Sequence, residues 1–392
     1  MKKLSILAMC VAATFSAYAQ MDVVKEAEGK TKGMTPDYAQ ALEIIKPALT
    51  NEATKGLAQT WYVAGKAAYG NYDKMFANKT LGQDVDDKSM GHSLIDGYEY
   101  MMTALPLDSV TDAKGKVKTK YSKDIVKAVA ENFNNYNNAA ILLWEAQDYD
   151  GAYKAWDIYL SLPNDPRLGK NAPAAPADTI VSELTYNKGL AAWQAGNIPA
   201  ARKDLAKALQ LGYNKKNLYD YAISLAYQEG DEDAVYNLAK EALPLYGSED
   251  TKYMQLIINN HISKKEYDQA KQMLNEAIAA NPNDSQYYLL LGLLATEQKD
   301  AAEAEANYKK AVEMDPNNAN AQLFLGSTLC EKAYALADKS TTLSQAEYEK
   351  VYNNQIKPLF LEAIDHLEKA YAADPQGPTS GDALRYLRNA YY

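Results

Sequence analysis

The sequence contains few side chains that could serve in catalysis or metal binding, and these are widely scattered. The three histidines, His92, His261 and His366, are far apart in the chain. No HExxH, paired-cysteine or EF-hand spacing occurs, and there is no nucleophile elbow, phosphate-binding loop or dinucleotide fingerprint. Because each of these sites needs its residues at a fixed spacing, the sequence predicts a protein that is not an enzyme. It predicts no catalytic residue, no cofactor and no metal.

One acidic run could attract a calcium ion. Asp84, Asp86 and Asp87 stand close together, and calcium prefers carboxylate oxygens. The run lacks the glycine and the closing glutamate of an EF-hand loop. We therefore expect a solvated acidic loop at this position.

The length, charge and residue types of the chain indicate which class of protein carries these side chains. It has 392 residues, with 41 basic and 51 acidic side chains and a formal net charge of −10. Hydrophobic residues make up 47%, which argues against a disordered chain. The acidic balance argues against a nucleic-acid binder, which needs clustered positive charge. Tyrosine is unusually frequent, with 31 residues against 5 phenylalanines, which suggests rings that pack on one face while the hydroxyl reaches water or a partner.

Residues 1–19 have the features of an export signal. Two lysines precede an apolar run too short to span a bilayer, and a small-x-small cleavage site ends at Ala19. A buried first helix and a lipoprotein signal at Cys10 are the alternatives, but Met9 stands where a lipoprotein signal needs a small residue. Cleavage would leave Cys330 as the only thiol. We expect export to the periplasm, with peripheral attachment at the outer membrane left open, and no membrane span after the signal.

A period of 34 residues organises the rest of the chain. Counted from Ser285, its recurring positions are occupied by Gly292 at position 8, Ala304 at 20, Tyr308 at 24, Ala311 at 27 and Pro316 at 32. Counted from Thr251, positions 20, 24, 27 and 32 hold Ala270, Leu274, Ala277 and Pro282. Small residues let two antiparallel helices approach, and proline stops the second helix. This spacing resembles the tetratricopeptide repeat, a helix–turn–helix unit. The resemblance implies an all-α fold, a superhelical α-solenoid of stacked repeats with inserted loops.

The repeat register divides the chain into five parts. Residues 1–19 form the signal, and 20–132 hold degenerate repeat-like helices with insertions and a lysine-rich arm. One repeat unit and a proline-rich linker occupy 133–181. Four regular units occupy 182–318, and 319–392 hold a last unit with an insertion and a capping helix.

Insertions break the period in three places, Gly70–Gly91, Asn164–Ile180 and Glu331–Gln355. The lysine-rich segment Asp108–Lys123 predicts a hairpin between repeats, which is either a solvated connection or a contact for an anionic partner. Ala383–Tyr392 resembles a closing helix whose apolar face covers the last repeat.

The resemblance also implies where a partner would bind. In this family, positions 2, 5, 9 and 12 of each repeat face a concave groove, and an aromatic, amide-rich groove suits an extended peptide. The residues at these positions include Tyr62, Asn137, Trp144, Tyr186, Trp193, Asp220, Tyr227, Gln255, Asn259 and Leu323. Some of these rings could instead lie inside a tight coil. Position 5 holds no lysine, so the carboxylate clamp of chaperone-binding members is not expected.

Three functions remain compatible with these features. The first is an exported, non-catalytic scaffold or adaptor that binds a protein or peptide of the cell envelope, and not nucleic acid. The second is a glycan-binding accessory protein of the envelope, because tyrosines stack on sugars. The third is an enzyme whose site lies in the insertions, although these carry no motif. Two Asp-Ser/Thr-aliphatic tripeptides also suggest Ser109 and Thr179 as O-glycan acceptors.

Overall fold

The structure is a computed structural model that describes residues 21–111, 115 and 117–391, and this part of the chain is almost entirely helical. The predicted signal sequence and Cys10 lie outside the described residues. The chain divides into two compact units, of which the first ends at Leu218 and the second starts at Tyr219. None of the helices within the described ranges is long and apolar enough to cross a membrane.

The first unit consists of helix pairs and one small hairpin. Its elements are α1 (21–30), α2 (Tyr38–Thr50), α3 (Ala58–Thr80), α4 (Asp87–Leu107), β1 (Val110–Thr111), β2 (Val117–Lys118), α5 (Ser122–Glu131), α6 (Phe133–Glu145), α7 (Tyr149–Ser161), α8 (Asp178–Gln194) and α9 (Ile198–Gln210). The two strands pair antiparallel, with Val110 opposite Lys118. The predicted hairpin is therefore confirmed, while residues 112–114 and 116 of its turn fall outside the described part.

The second unit continues the same pattern of helix pairs. Its elements are α10 (Lys216–Glu229, starting in the last residues of the first unit), α11 (Glu232–Tyr246), α12 (Lys252–Ser263), α13 (Tyr267–Ala280), α14 (Ser285–Glu297), α15 (Ala301–Met314), α16 (Ala319–Lys339), α17 (Gln345–Val351), α18 (Lys357–Ala373) and α19 (Pro378–Tyr391). The prediction of an all-α repeat solenoid is confirmed.

Close approach of the two helices in each pair explains the small residues of the repeat. A Cβ added to Gly292 on α14 would lie 2.3 Å from a ring carbon of Tyr308 on α15. The same addition at Gly189 would lie 2.9 Å from Leu205, at the matching positions of α8 and α9. Such distances fall below van der Waals contact, so only glycine lets the bulky residue at position 24 fill the seam between the helices.

The turn inside each pair also repeats. In five copies of the repeat, the residue at position 15 has a positive φ. These residues are Gln147 (58°), Gly196 (77°), Gly230 (71°), Lys265 (59°) and Lys299 (61°). After several of these turns a side chain caps the second helix, as Asn197 accepts from the N–H of Ala200. The left-handed turn and the cap together fix where the second helix begins.

The insertions mostly lengthen helices rather than add loops. Gly70–Gly91 lies in the second half of α3, a short turn and the start of α4. Glu331–Gln355 extends α16 to Lys339 and then forms α17 and a π-helical turn, Tyr352–Ile356. Asn164–Ile180 is irregular with short 3-10 turns, as its prolines predict, until α8 begins at Asp178. The closing helix α19 begins at Pro378, five residues earlier than predicted.

The core of each unit runs along the seams between its helices. In the first unit, Leu94, Tyr136 and Leu143 are fully buried, and in the second unit Tyr253 and Tyr308 are. Each pair thus buries one face in itself and another against its neighbours, which is how repeat arrays gain their stability.

Candidate functional site

The predicted groove residues lie on the first helices of their pairs, but their environments differ. Tyr62, Asn137, Trp144, Tyr186 and Trp193 belong to the first unit, and Tyr227, Asn259 and Leu323 belong to the second. Of these, Tyr186 and Leu323 are both 5% exposed, so they pack inside their units. Only the remaining six have side chains that solvent reaches.

Trp144 forms one wall of a small pocket in the first unit. This Trp144 pocket has a volume of about 230 Å³ and is lined by Ile141, Trp144, Glu145, Trp156, Asn187 and Leu190. Helices α6, α7 and α8 supply these residues, so the pocket spans the junction between two neighbouring helix pairs. Its walls are aromatic and aliphatic, and its polar groups are one amide and one carboxylate.

Aromatic neighbours hold the Trp144 ring in place. Its centroid lies 5.1 Å from that of Tyr149 in an edge-to-face arrangement and 6.2 Å from that of Trp156. The Nε1–H of Trp156 donates to Oδ1 of Asn137 at 3.0 Å. Asn137 therefore does not line the pocket, and its side-chain oxygen accepts a hydrogen bond from Trp156. Such packing makes the pocket wall rigid before any ligand arrives.

The other aromatic residues predicted for the first-unit groove lie outside the Trp144 pocket. Tyr62 stacks on Tyr121 at a centroid distance of 4.5 Å, and Tyr186 stacks on Tyr213 at 4.8 Å. Trp193 is half-buried near the end of α8. Only Trp144 of the predicted set lines the pocket directly.

The second unit brings two predicted residues together. Tyr227, which is 55% exposed, and Asn259 line a pocket of about 210 Å³ with Glu232, Val235, Leu256, Asn260 and Ser263. This Tyr227 pocket lies among α10, α11 and α12. Its lining places two amides, a hydroxyl and a carboxylate around the exposed ring.

A buried charge cluster in the first unit was not anticipated from the sequence. Nζ of Lys188 on α8 lies 2.7 Å from Oδ1 of Asp157 and 3.2 Å from Oδ1 of Asp204. Burial lowers the pKa of Lys188, but the two carboxylates outweigh this and hold it above its ordinary value. Burial raises the pKa of Asp204, and Lys188 limits that rise. Lys188 stands one residue before Gly189, so the repeat register could have marked it as a charge at an interior position.

The residues that might have suggested catalysis have structural partners. His92 pairs with Asp148 at 2.6 Å, His261 with Glu266 at 2.7 Å and His366 with the amide of Gln322 at 2.6 Å, each in a separate place. Burial raises the pKa of the Cys330 thiol to about 11, so the thiolate is scarce near neutral pH. Within the described ranges, no group of three or more metal-binding side chains occurs.

The acidic run also serves local structure. Asp86 caps the start of α4 by accepting from the N–H of Ser89, and Asp87 pairs with Lys79 across the turn. Asp87 thus ties the end of α3 to the start of α4, whereas Asp86 caps α4 itself. Asp84 is exposed.

Comparison with known proteins gives one family match and several similar structures. Residues 258–326 match a tetratricopeptide-repeat family model. No curated protein matches the chain. A tetratricopeptide-repeat protein from Bacteroides fragilis is similar at 17% identity, with 66% of this chain and 97% of that chain covered and a TM-score of 0.31. The C-terminal part of a repeat protein from Cytophaga hutchinsonii shows 16% identity, 73% and 99% coverage and a TM-score of 0.39. A tetratricopeptide-repeat protein from Parabacteroides merdae shows 15% identity, with 67% of this chain and 100% of that chain covered and a TM-score of 0.38.

The matched segment overlaps the last two of the four regular units at 182–318. It begins in α12 and ends in α16, so it takes in the pairs whose glycine, alanine and proline positions were assigned from the sequence. The same pair geometry, with glycine facing a bulky residue and a left-handed turn between helices, recurs outside the match in the first unit. Residues 258–326 of this chain are thus identified as tetratricopeptide repeats.

Proposed function

We propose that this protein is an exported, non-catalytic scaffold that binds an extended peptide segment of another cell-envelope protein through the Trp144 pocket. Tetratricopeptide-repeat proteins bind protein or peptide partners. The observation that carries the proposal is a rigid aromatic wall beside an amide without a partner. The amide of Asn187 has no hydrogen-bond partner among the described residues, although it lines the pocket.

The pocket chemistry fits one apolar side chain of a peptide together with its backbone. Ile141 is 42% exposed, and with Leu190 and the Trp144 ring it offers an apolar surface to such a side chain. The Asn187 amide can both donate to and accept from a peptide group. Glu145 at the rim is exposed and would favour a basic residue beside the anchored one.

A photo-crosslinking residue at position 141, compared with one at position 180, tests this proposal in living cells. Ile180 is a matched control because it is 44% exposed in the same unit but lies outside the pocket. We expect position 141 to capture one envelope protein, position 180 not to capture it, and Leu190→Arg to abolish the capture. Equal products at both positions would contradict the proposal. Export depends on the signal features of residues 1–19, and a mature chain that still begins at Met1 would contradict that part.

The Tyr227 pocket favours the second candidate function, glycan binding. An exposed tyrosine ring flanked by amides resembles a platform on which a sugar can stack while its hydroxyls form hydrogen bonds. Binding on a glycan array that Tyr227→Ala abolishes, while Leu190→Arg preserves it, would favour this role over peptide binding. An array without binding would count against it.

A further inference from the structure

The second unit contains a larger cleft, which the Glu331–Gln355 insertion creates. This insertion cleft has a volume of about 800 Å³ and lies between the start of α15, the C-terminal half of α16 and the segment that leads into α18. It contains none of the predicted groove residues. Its size falls within the range of ordinary ligand sites.

The cleft is lined by small and aliphatic side chains. Ala301 and Ala302 on α15, Ala335 and Leu336 on α16, and Leu359 on α18 supply its apolar surface. Alanines at three of these positions leave room for another backbone to approach, and the two leucines offer apolar contact. An apolar surface of this kind, edged by charged side chains, suits one face of an amphipathic helix.

The charges at the edge of the cleft leave one cation and one anion for a partner. Lys332 is neutralised by Glu305 at 2.7 Å. Glu331 accepts only the hydroxyl of Tyr386, at 3.3 Å, and has no basic partner in the part of the chain that the structure describes. Lys339 is exposed and has no acidic partner there. Since both residues belong to α16 and stand eight positions apart, their backbones are separated by about 12 Å along the helix axis.

We propose that the insertion cleft binds a short amphipathic helix of a partner protein, whose acidic residue meets Lys339 and whose basic residue meets Glu331. Two residues eight positions apart on the partner helix span the same distance of about 12 Å. Apolar residues three and four positions beyond the first charge would then face Ala335, Leu336 and Leu359. The opposite charges at the two ends of the cleft select the direction in which the helix lies.

Fluorescence anisotropy with stapled 15-residue helices measures this binding directly. One probe carries an aspartate and a lysine eight positions apart with leucines between them, and two control probes carry two aspartates or two lysines. We expect the bipolar probe to bind the full-length protein at least about threefold more tightly than either control, as two exposed charge pairs allow. Equal affinities for the three probes, or binding of none, would overturn the proposal.

Variants of the protein separate the cleft from other surfaces. Lys339→Glu should weaken the bipolar probe about three- to tenfold and strengthen the two-lysine probe. Ala335→Trp should fill the cleft and reduce binding of all probes at least about thirtyfold. Lys350→Glu is the matched control, because it places the same change in the same insertion outside the cleft lining. A loss in Lys350→Glu equal to that in Lys339→Glu would refute the site, and far-ultraviolet circular dichroism checks that each variant is folded. Ile141→Glu should leave probe binding unchanged, so failure here is distinct from failure of the Trp144 pocket.

Discussion

Replacing Lys188 by methionine would leave a buried carboxylate without its cation. The side chains of Lys188 and Asp204 are 11% and 5% exposed, whereas that of Asp157 is 57% exposed and can be solvated. Oδ2 of Asp204 has no hydrogen-bond partner among the described residues, so this carboxylate depends on Lys188 for its compensation. The variant therefore tests whether one ion pair between α8 and α9 stabilises the first unit.

Protonation of Asp204 limits how much stability the variant can lose. Burial already raises the pKa of Asp204 above its ordinary value of 3.8, and without Lys188 the carboxyl group would take up a proton rather than stay charged. Each pKa unit corresponds to about 1.36 kcal/mol, so protonation at pH 7 of a group with an ordinary pKa near 4 costs about 4 kcal/mol. Breaking a buried ion pair from one side costs about 3–5 kcal/mol in general. We expect the free energy of unfolding to fall by about 3–4 kcal/mol at pH 7, the upper value being set by this protonation.

The pH dependence follows from the same proton. In the variant, the folded state holds a proton on Asp204 at pH values where the unfolded chain, with its ordinary pKa of 3.8, has released it. Stability therefore rises as the pH falls from 7 toward 4, by up to about 1.36 kcal/mol per pH unit. In the wild-type protein the contribution of Asp204 to stability changes with pH in the same direction but by less, because Lys188 keeps the rise in the pKa of Asp204 smaller.

Urea unfolding followed by tryptophan fluorescence measures the effect in the relevant unit. All four tryptophans, Trp61, Trp144, Trp156 and Trp193, belong to the first unit, so their emission reports on it alone. The double variant Lys188→Met with Asp204→Leu should recover most of the loss, because it removes both charges. A loss below about 1 kcal/mol for the single variant, or one that is equal at pH 5 and pH 7, would refute the reasoning.

Two further predictions concern packing and a buried hydrogen-bond cluster. Gly292→Ala should lower the free energy of unfolding by about 1–3 kcal/mol, because the new Cβ overlaps the ring of Tyr308. Gly381→Ala in α19 has no neighbour within 4 Å and should raise the free energy of unfolding by about 0.5–1 kcal/mol. Circular dichroism during urea unfolding measures both variants, and equal effects would contradict the steric explanation. Asp108 accepts from three backbone N–H groups and the hydroxyl of Ser122, and these hydrogen bonds outweigh burial and lower its pKa. The stability that the charged Asp108 contributes is present above pH 3.8 and is lost as the pH falls through the lowered pKa. In Asp108→Asn, the free energy of unfolding should therefore fall less steeply as the pH is lowered below 3.8. Tryptophan fluorescence during acid titration measures this difference.

The repeat register could be predicted from the sequence because the physical demand behind it is local. Gly292 and Tyr308 are required by the contact of two adjacent helices, and that contact recurs wherever the same spacing recurs. Glycine occupies the left-handed position of the turn at Gly196, but lysine takes a similar φ at Lys265 and Lys299. At those positions the turn is imposed by the helices on either side, so residue type alone does not reveal it.

The repeat register predicts on which helix each groove residue lies, but it does not separate exposed residues from buried ones. A repeat position specifies the face of a helix, whereas burial depends on what the next pair places over that face. Tyr186 stacks on Tyr213 of the connection between α9 and α10, and Leu323 packs into the core with residues of α14 and α15. The sequence pointed to the insertions as a place for a site, but the shape of the insertion cleft could not be predicted because it depends on α16 continuing to Lys339.

The tyrosine excess has a different cause from the one that composition suggests. Tyr136 and Tyr253 are fully buried and Tyr308 nearly so, so these rings do not lie with one face in water. Their hydroxyls bind inside the protein, Tyr136 to Tyr69 at 2.7 Å, Tyr253 to Asp220 at 2.6 Å and Tyr308 to Thr296 at 2.9 Å. In a fold only two helices thick, a ring that fills a seam also reaches a polar group on the neighbouring helix, where phenylalanine would leave that group without a partner. These three tyrosines thus hold adjacent helices in register, whereas Tyr227 is among the exposed tyrosines and lines the Tyr227 pocket.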